Sequence, residues 1–92
     1  MTLHEFKQDS QARIWSYASI GEADRALPAK AIVYISNVVV AEEFPAAILF
    51  TGERNMIKLT QIQEIERKDG YYAIICGEND ELRTCVNVHF RI

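Results

Sequence analysis

The chain is short of several things, and each shortage narrows what it can be. It has two cysteines, Cys76 and Cys85, too few for the disulfide framework of a small secreted domain. No C-x-x-C or H-x-x-x-H spacing occurs, and two histidines, His4 and His89, add little, so no metal site is expected. No cofactor is implied either: there is no glycine-rich phosphate loop, no G-x-S-x-G and no H-E-x-x-H. There is no run of eighteen apolar residues, hence no spanning helix and no expected membrane partner. The opening residues, Met1 to Asp9, are polar and lack the apolar stretch of a secretory signal, which together with two reduced thiols points to a cytoplasmic location. There is no basic excess: 10 Lys and Arg stand against 13 Asp and Glu, a net charge of −3, which disfavours binding to nucleic-acid backbones.

What remains is an ordinary globular composition. Apolar residues make up 49% of the 92 and charged residues 25%, well away from the signature of disorder. A chain of this length buries roughly 60–65% of its unfolded surface, enough for a single domain over residues 1–92 and one modest core.

The clearest periodicity is at the end. In residues 82–92, Leu82, Thr84, Val86, Val88, Phe90 and Ile92 alternate with Arg83, Cys85, Asn87, His89 and Arg91, a half-buried strand. Tyr71 to Cys76 is aromatic and β-branched, and Gly77 to Glu81 between them is turn chemistry. A two- or four-residue loop would pair Tyr71 with Val88, Ala73 with Val86 and Ile75 with Thr84 on the apolar face. Tyr72, Ile74 and Cys76 would then lie on the polar face with Asn87, Cys85 and Arg83. That geometry argues against a Cys76–Cys85 disulfide.

Upstream, Lys68-Asp69-Gly70 marks a turn, and the run 56–67 reads as two strand pieces, 56–59 and 62–67, kinked at Thr60-Gln61. A short strand spans 47–51. The long β-branched run 31–41 reads as one central or interface strand. A connection with a short helix is expected over 22–27, a strand over 12–20 and a short helix over 2–10, where Thr2 and Glu5 form a capping-box pattern. The fold class is therefore α+β, mostly antiparallel β. It is a small meander sheet or barrel of five to six strands with a short N-terminal helix, similar in shape to Sm-like barrels and pleckstrin-homology-like sheets. No motif selects either.

Chemistry is hard to find. Cys85 and His89 sit four residues apart on one strand, about 13 Å, too far to act as a pair. The acidic groups Glu42-Glu43, Glu64 with Glu66, and Glu78, Asp80 and Glu81 fall at turns and strand ends, where solvated charge belongs. Trp15, Tyr17, Tyr34 and Phe44 are expected in the core. One binding patch stands out: Tyr72, Arg83, Asn87, His89 and Arg91 on the polar face of the last two strands. Val38, Val39 and Val40 offer apolar groups to both faces and form a candidate oligomer interface; the final strand is a second candidate, as a free edge. The expectation is a non-enzymatic protein-interaction module that self-associates into a homo-oligomer. The alternatives are a small-barrel binder of single-stranded nucleic acid and a β-domain that binds a small molecule or lipid.

Overall fold

The computed structural model describes residues 1–22, 31–77 and 83–91. It contains one helix, α1 (Leu3–Ser10), and eight strands: β1 (Ile14–Glu22), β2 (Ala31–Tyr34), β3 (Asn37–Ala41), β4 (Ala47–Thr51), β5 (Met56–Thr60), β6 (Ile62–Arg67), β7 (Tyr71–Cys76) and β8 (Thr84–Arg91). All pairings are antiparallel, in a five-stranded sheet ordered β2-β1-β8-β7-β6 and a three-stranded sheet ordered β3-β4-β5. The α+β class, the N-terminal helix and the kinked run 56–67 are as the sequence leads one to expect. Two expected elements run into undescribed residues. These are the helix over 22–27, of which only Glu22 is described, as the end of β1, and the turn residues Glu78, Asp80, Glu81 and Leu82.

Two long runs of chain break and change sheet, the second where a kink was expected, and the described residues form eight strands where five to six were expected. The run 31–41 divides at Ile35-Ser36, where the Ile35 amide bonds back to Ser16 and the Ser36 amide bonds forward to Thr51. The first half therefore belongs to one sheet and the second half to the other. The run 56–67 turns at Gln61, whose φ of 53° lies in the left-handed region that side chains other than glycine enter at a cost of about 1–2 kcal/mol. The Gln61 carbonyl is held by the Gly77 amide at 3.0 Å. Near the first bend, Gly52 lies against the end of β2. A Cβ there would stand 2.2 Å from the Tyr34 carbonyl oxygen, so only glycine fits.

The space between the sheets is filled with rings. Trp15 is the hub, with ring centroids 5.8 Å from Tyr72, 6.3 Å from Phe50, and 6.4 Å from both Phe6 and Phe90. Phe6 meets Tyr72 edge-on at 5.1 Å. Around them lie Ile48, Ile74, Val86 and Val88, all fully buried. Each such side chain contributes about 1.5–3 kcal/mol by leaving water.

Helix α1 reaches this core through Phe6. Its first turn is closed by the capping box: the Thr2 hydroxyl accepts from the Glu5 amide at 3.1 Å, and the Glu5 carboxylate accepts from the Thr2 amide at 3.0 Å. Glu42, just beyond β3, accepts hydrogen bonds from Lys7 and His4. At the other end of the helix, Asp9 accepts from the Tyr72 hydroxyl and from Arg13, and Arg67 lies 3.6 Å away. No helix among the described residues is long and apolar enough to cross a membrane.

Candidate functional site

The pairing of β7 with β8 decides which side chains face solvent. Tyr71 lies opposite His89, Tyr72 opposite Val88, Ala73 opposite Asn87, Ile74 opposite Val86, Ile75 opposite Cys85 and Cys76 opposite Thr84. This is one residue off the expected register, because the connection spans 77–83, an odd number of residues. A one-residue shift moves a whole strand to the other face. Tyr72 is thereby corrected out of the candidate patch: it is fully buried, its hydroxyl bonded to Asp9 and Arg13. Ile74 and Cys76 turn inward with it. Burial and the neighbouring Asp9 carboxylate push the Tyr72 phenol pKa up, so it stays protonated.

The remaining patch residues keep their places. Asn87 and His89 lie on the outer face of β8, opposite Ala73 and Tyr71, and Arg91 follows at its exposed end, opposite Ile14. Arg83 immediately precedes β8 and is half-buried.

The structure adds partners that the sequence pattern hid. Tyr17 stacks on His89 at 4.3 Å with the rings 14° apart, and Tyr71 stacks on its other side at 5.0 Å and 27°. The three rings thus stand in a row across β1, β8 and β7, with Tyr34 opposite Tyr17 on β2. Tyr17 reaches the outer face through a β-bulge. Between the pairs Trp15–Phe90 and Ala18–Val88, two residues of β1 oppose the single residue His89. Strict alternation from Trp15 would have sent Tyr17 inward.

Around the row the face is apolar and open. Tyr34 is 73% exposed, Ile14 67% and Ile32 63%, although tyrosine and isoleucine of this size are usually covered. Ser19, Asn87, Ala73, Cys85 and Ile75 fill its middle, and Glu64 and Glu66 stand at its β6 margin, opposite Ile75 and Ala73. Lys68 bonds Glu66 at 2.9 Å.

Of the aromatic residues expected inside, only Trp15 is buried; Tyr34 and Phe44 are exposed and Tyr17 is half-buried. The candidate oligomer interface also changes. Alternation along β3 turns Val38 and Val40 toward the core, leaving Val39 alone on the surface. Nor is the final strand a free edge: β8 lies between β1 and β7, in the middle of the larger sheet.

Burial holds the His89 imidazole below its usual pKa, and both of its ring faces are occupied. Cys85, on the same strand face, has its thiol pushed up by burial, as does the inward Cys76, so neither is an activated nucleophile. The two cysteines occupy opposite faces and remain free thiols. Among the described residues no group of three His, Cys, Asp or Glu converges as a metal site would require. No family model, curated protein or solved structure matches the chain.

Proposed function

We propose that the chain is a non-catalytic protein-interaction module that works through the outer face of its five-stranded sheet, with a second copy of itself as first partner. The observation that carries this reading is the continuous row Tyr34, Tyr17, His89, Tyr71, flanked by exposed Ile32 and Ile14. Apolar patches of this kind mark contact sites. The face also carries both signs of charge at separate places, Arg91 on β8 and Glu64 with Glu66 on β6, so two copies related by a two-fold can oppose cation to carboxylate.

Its size sets the strength. Five strands about 4.8 Å apart and about 20 Å long present roughly 480 Å² per copy. Two such faces bury roughly 1,000 Å², at the lower limit of specific interfaces, so association is weak and reversible.

Base stacking is the poorer reading of the same face. Tyr17 and Tyr71 stack on the two faces of His89 and cover them, whereas a nucleic-acid platform offers such surfaces to bases. The ring cluster around Trp15 likewise occupies the interior that a lipid-binding barrel would leave open.

Native mass spectrometry over a concentration series, with light scattering, tests the proposal. The chain should pass from monomer to dimer as concentration rises, and Ile32→Glu with Tyr34→Glu should keep it monomeric. A chain that stays monomeric throughout refutes self-association.

A further inference from the structure

His89 holds the middle of the face that two copies would share. Its strand, β8, is the central one of five, and its ring is the central one of three that stack. Tyr17 and Tyr71 cover its two flat sides and leave it half-buried, so its rim is what meets water. The ring nitrogens lie on that rim, and among the described residues neither has a hydrogen-bond partner.

Nothing around the ring is placed to neutralise a proton on it. Strand β1 presents the Tyr17 phenol and β7 the Tyr71 phenol, with Tyr34 of β2 beyond Tyr17. On the same face of β8 stand Cys85, Asn87 and Arg91, with Arg83 before the far end of the strand; Arg91 carries the same sign as an imidazolium. The carboxylates Glu64 and Glu66 lie two strands away on β6, opposite Ile75 and Ala73, and Lys68 bonds Glu66. Asp69 belongs to the turn before Tyr71, and Arg13 is turned inward to Tyr72 and Asp9. Burial, which disfavours the charged ring, goes unopposed by any of these charges.

Tyrosine faces attract a cation, so while its rim is wet the ring of the free chain accepts a proton at mildly acid pH. Closure removes that water. An imidazolium without a counter-ion is costly in a dry contact, and two-fold symmetry brings one from each copy. On the footing of the self-association put forward above, we propose that His89 is the proton switch of this face: two copies close when the ring is neutral and part when it is protonated. The dimer is then at full strength above the His89 pKa of the free chain. It weakens as pH falls through that value, by up to about 100-fold per pH unit, because each dimer that separates takes up two protons.

Sedimentation velocity over a concentration series reads the dimer Kd at about pH 7.5 and about pH 5, which bracket histidine titration and leave most glutamates ionised. NMR of the dilute chain gives the His89 pKa at which the change begins. Kd should rise about 10-fold or more on acidification. His89→Phe keeps a flat ring between the two tyrosines and His89→Gln keeps a neutral polar group; both should dimerise with a Kd that no longer follows pH. A wild-type Kd indifferent to pH, or one that changes alike in the wild type and both variants, overturns the switch and leaves self-association standing. So does a dimer that tightens on acidification, as a carboxylate of the second copy facing His89 would make it. A chain that is monomeric at both pH values refutes self-association and the switch together.

Discussion

Removing one hydroxyl, by Tyr72→Phe, tests how the helix is fastened to the sheets. The Tyr72 hydroxyl donates to Asp9 and accepts from the Arg13 Nε at 3.1 Å, while Arg13 also reaches Asp9 at 3.3 Å and lies 4.1 Å over the Phe90 ring. Hydrogen bonds to charged groups contribute about 1.5–3 kcal/mol when fully enclosed. The Asp9 and Arg13 side chains are 28% and 27% exposed, so water replaces part of what is lost and about 1–2 kcal/mol remains. In a domain of this size each kcal/mol lowers Tm by about 4–8 °C.

Urea denaturation of the wild type, Tyr72→Phe, Asp9→Asn and the double variant should give a coupling of about 1 kcal/mol. The pH dependence gives a second readout. Asp9 is held below its usual pKa, first by the Tyr72 hydroxyl and then by Arg13, against the opposing effect of burial. A carboxylate whose folded pKa is depressed contributes stability that is complete above its unfolded pKa of about 4 and is lost as pH falls through the folded value. Tyr72→Phe should therefore flatten the acid side of the stability curve. A coupling below about 0.3 kcal/mol, with an unchanged acid limb, would refute the reasoning.

Two other substitutions probe the bends. Gly52→Ala drives a methyl group into the Tyr34 carbonyl and should cost about 2–3 kcal/mol in urea denaturation, forcing β2 away from the end of β4. Gln61→Gly, which relieves a left-handed backbone, should leave the protein at least as stable, whereas Gln61→Val should cost about 1–2 kcal/mol by thermal melting.

The strands that were legible in the sequence are those bounded by turn residues. Strand β4 begins after Pro45 and ends at Gly52, and β7 starts after Gly70 and stops before Gly77. The kink near Gln61 showed because apolar spacing changes there. Which way residues face depended on parity, and parity is set by features without a composition signal. The odd connection 77–83 put Tyr72 inside and Tyr71 outside, and the bulge at Ser16-Tyr17 did the reverse for Tyr17. Tyr17 and Tyr71 were therefore hidden, and Tyr34 was expected inside, while His89 and Asn87 were visible from the alternation of β8 alone. The split of 31–41 was equally silent, since Ile35 and Ser36 change sheet without glycine or proline to mark it.

The central place of β8 has a consequence for how the chain comes into being. It follows every other strand in sequence, yet it joins β1, near the start, to β7. On a ribosome, β1 and β2 on one side and β6 and β7 on the other must wait as two unjoined ribbons until Thr84–Arg91 emerges between them. Their inner faces, Trp15 and Tyr72 among them, stay uncovered for that interval. Such long-range closure belongs to slow folders, in milliseconds to seconds, and leaves apolar faces open to wrong contacts until β8 pairs.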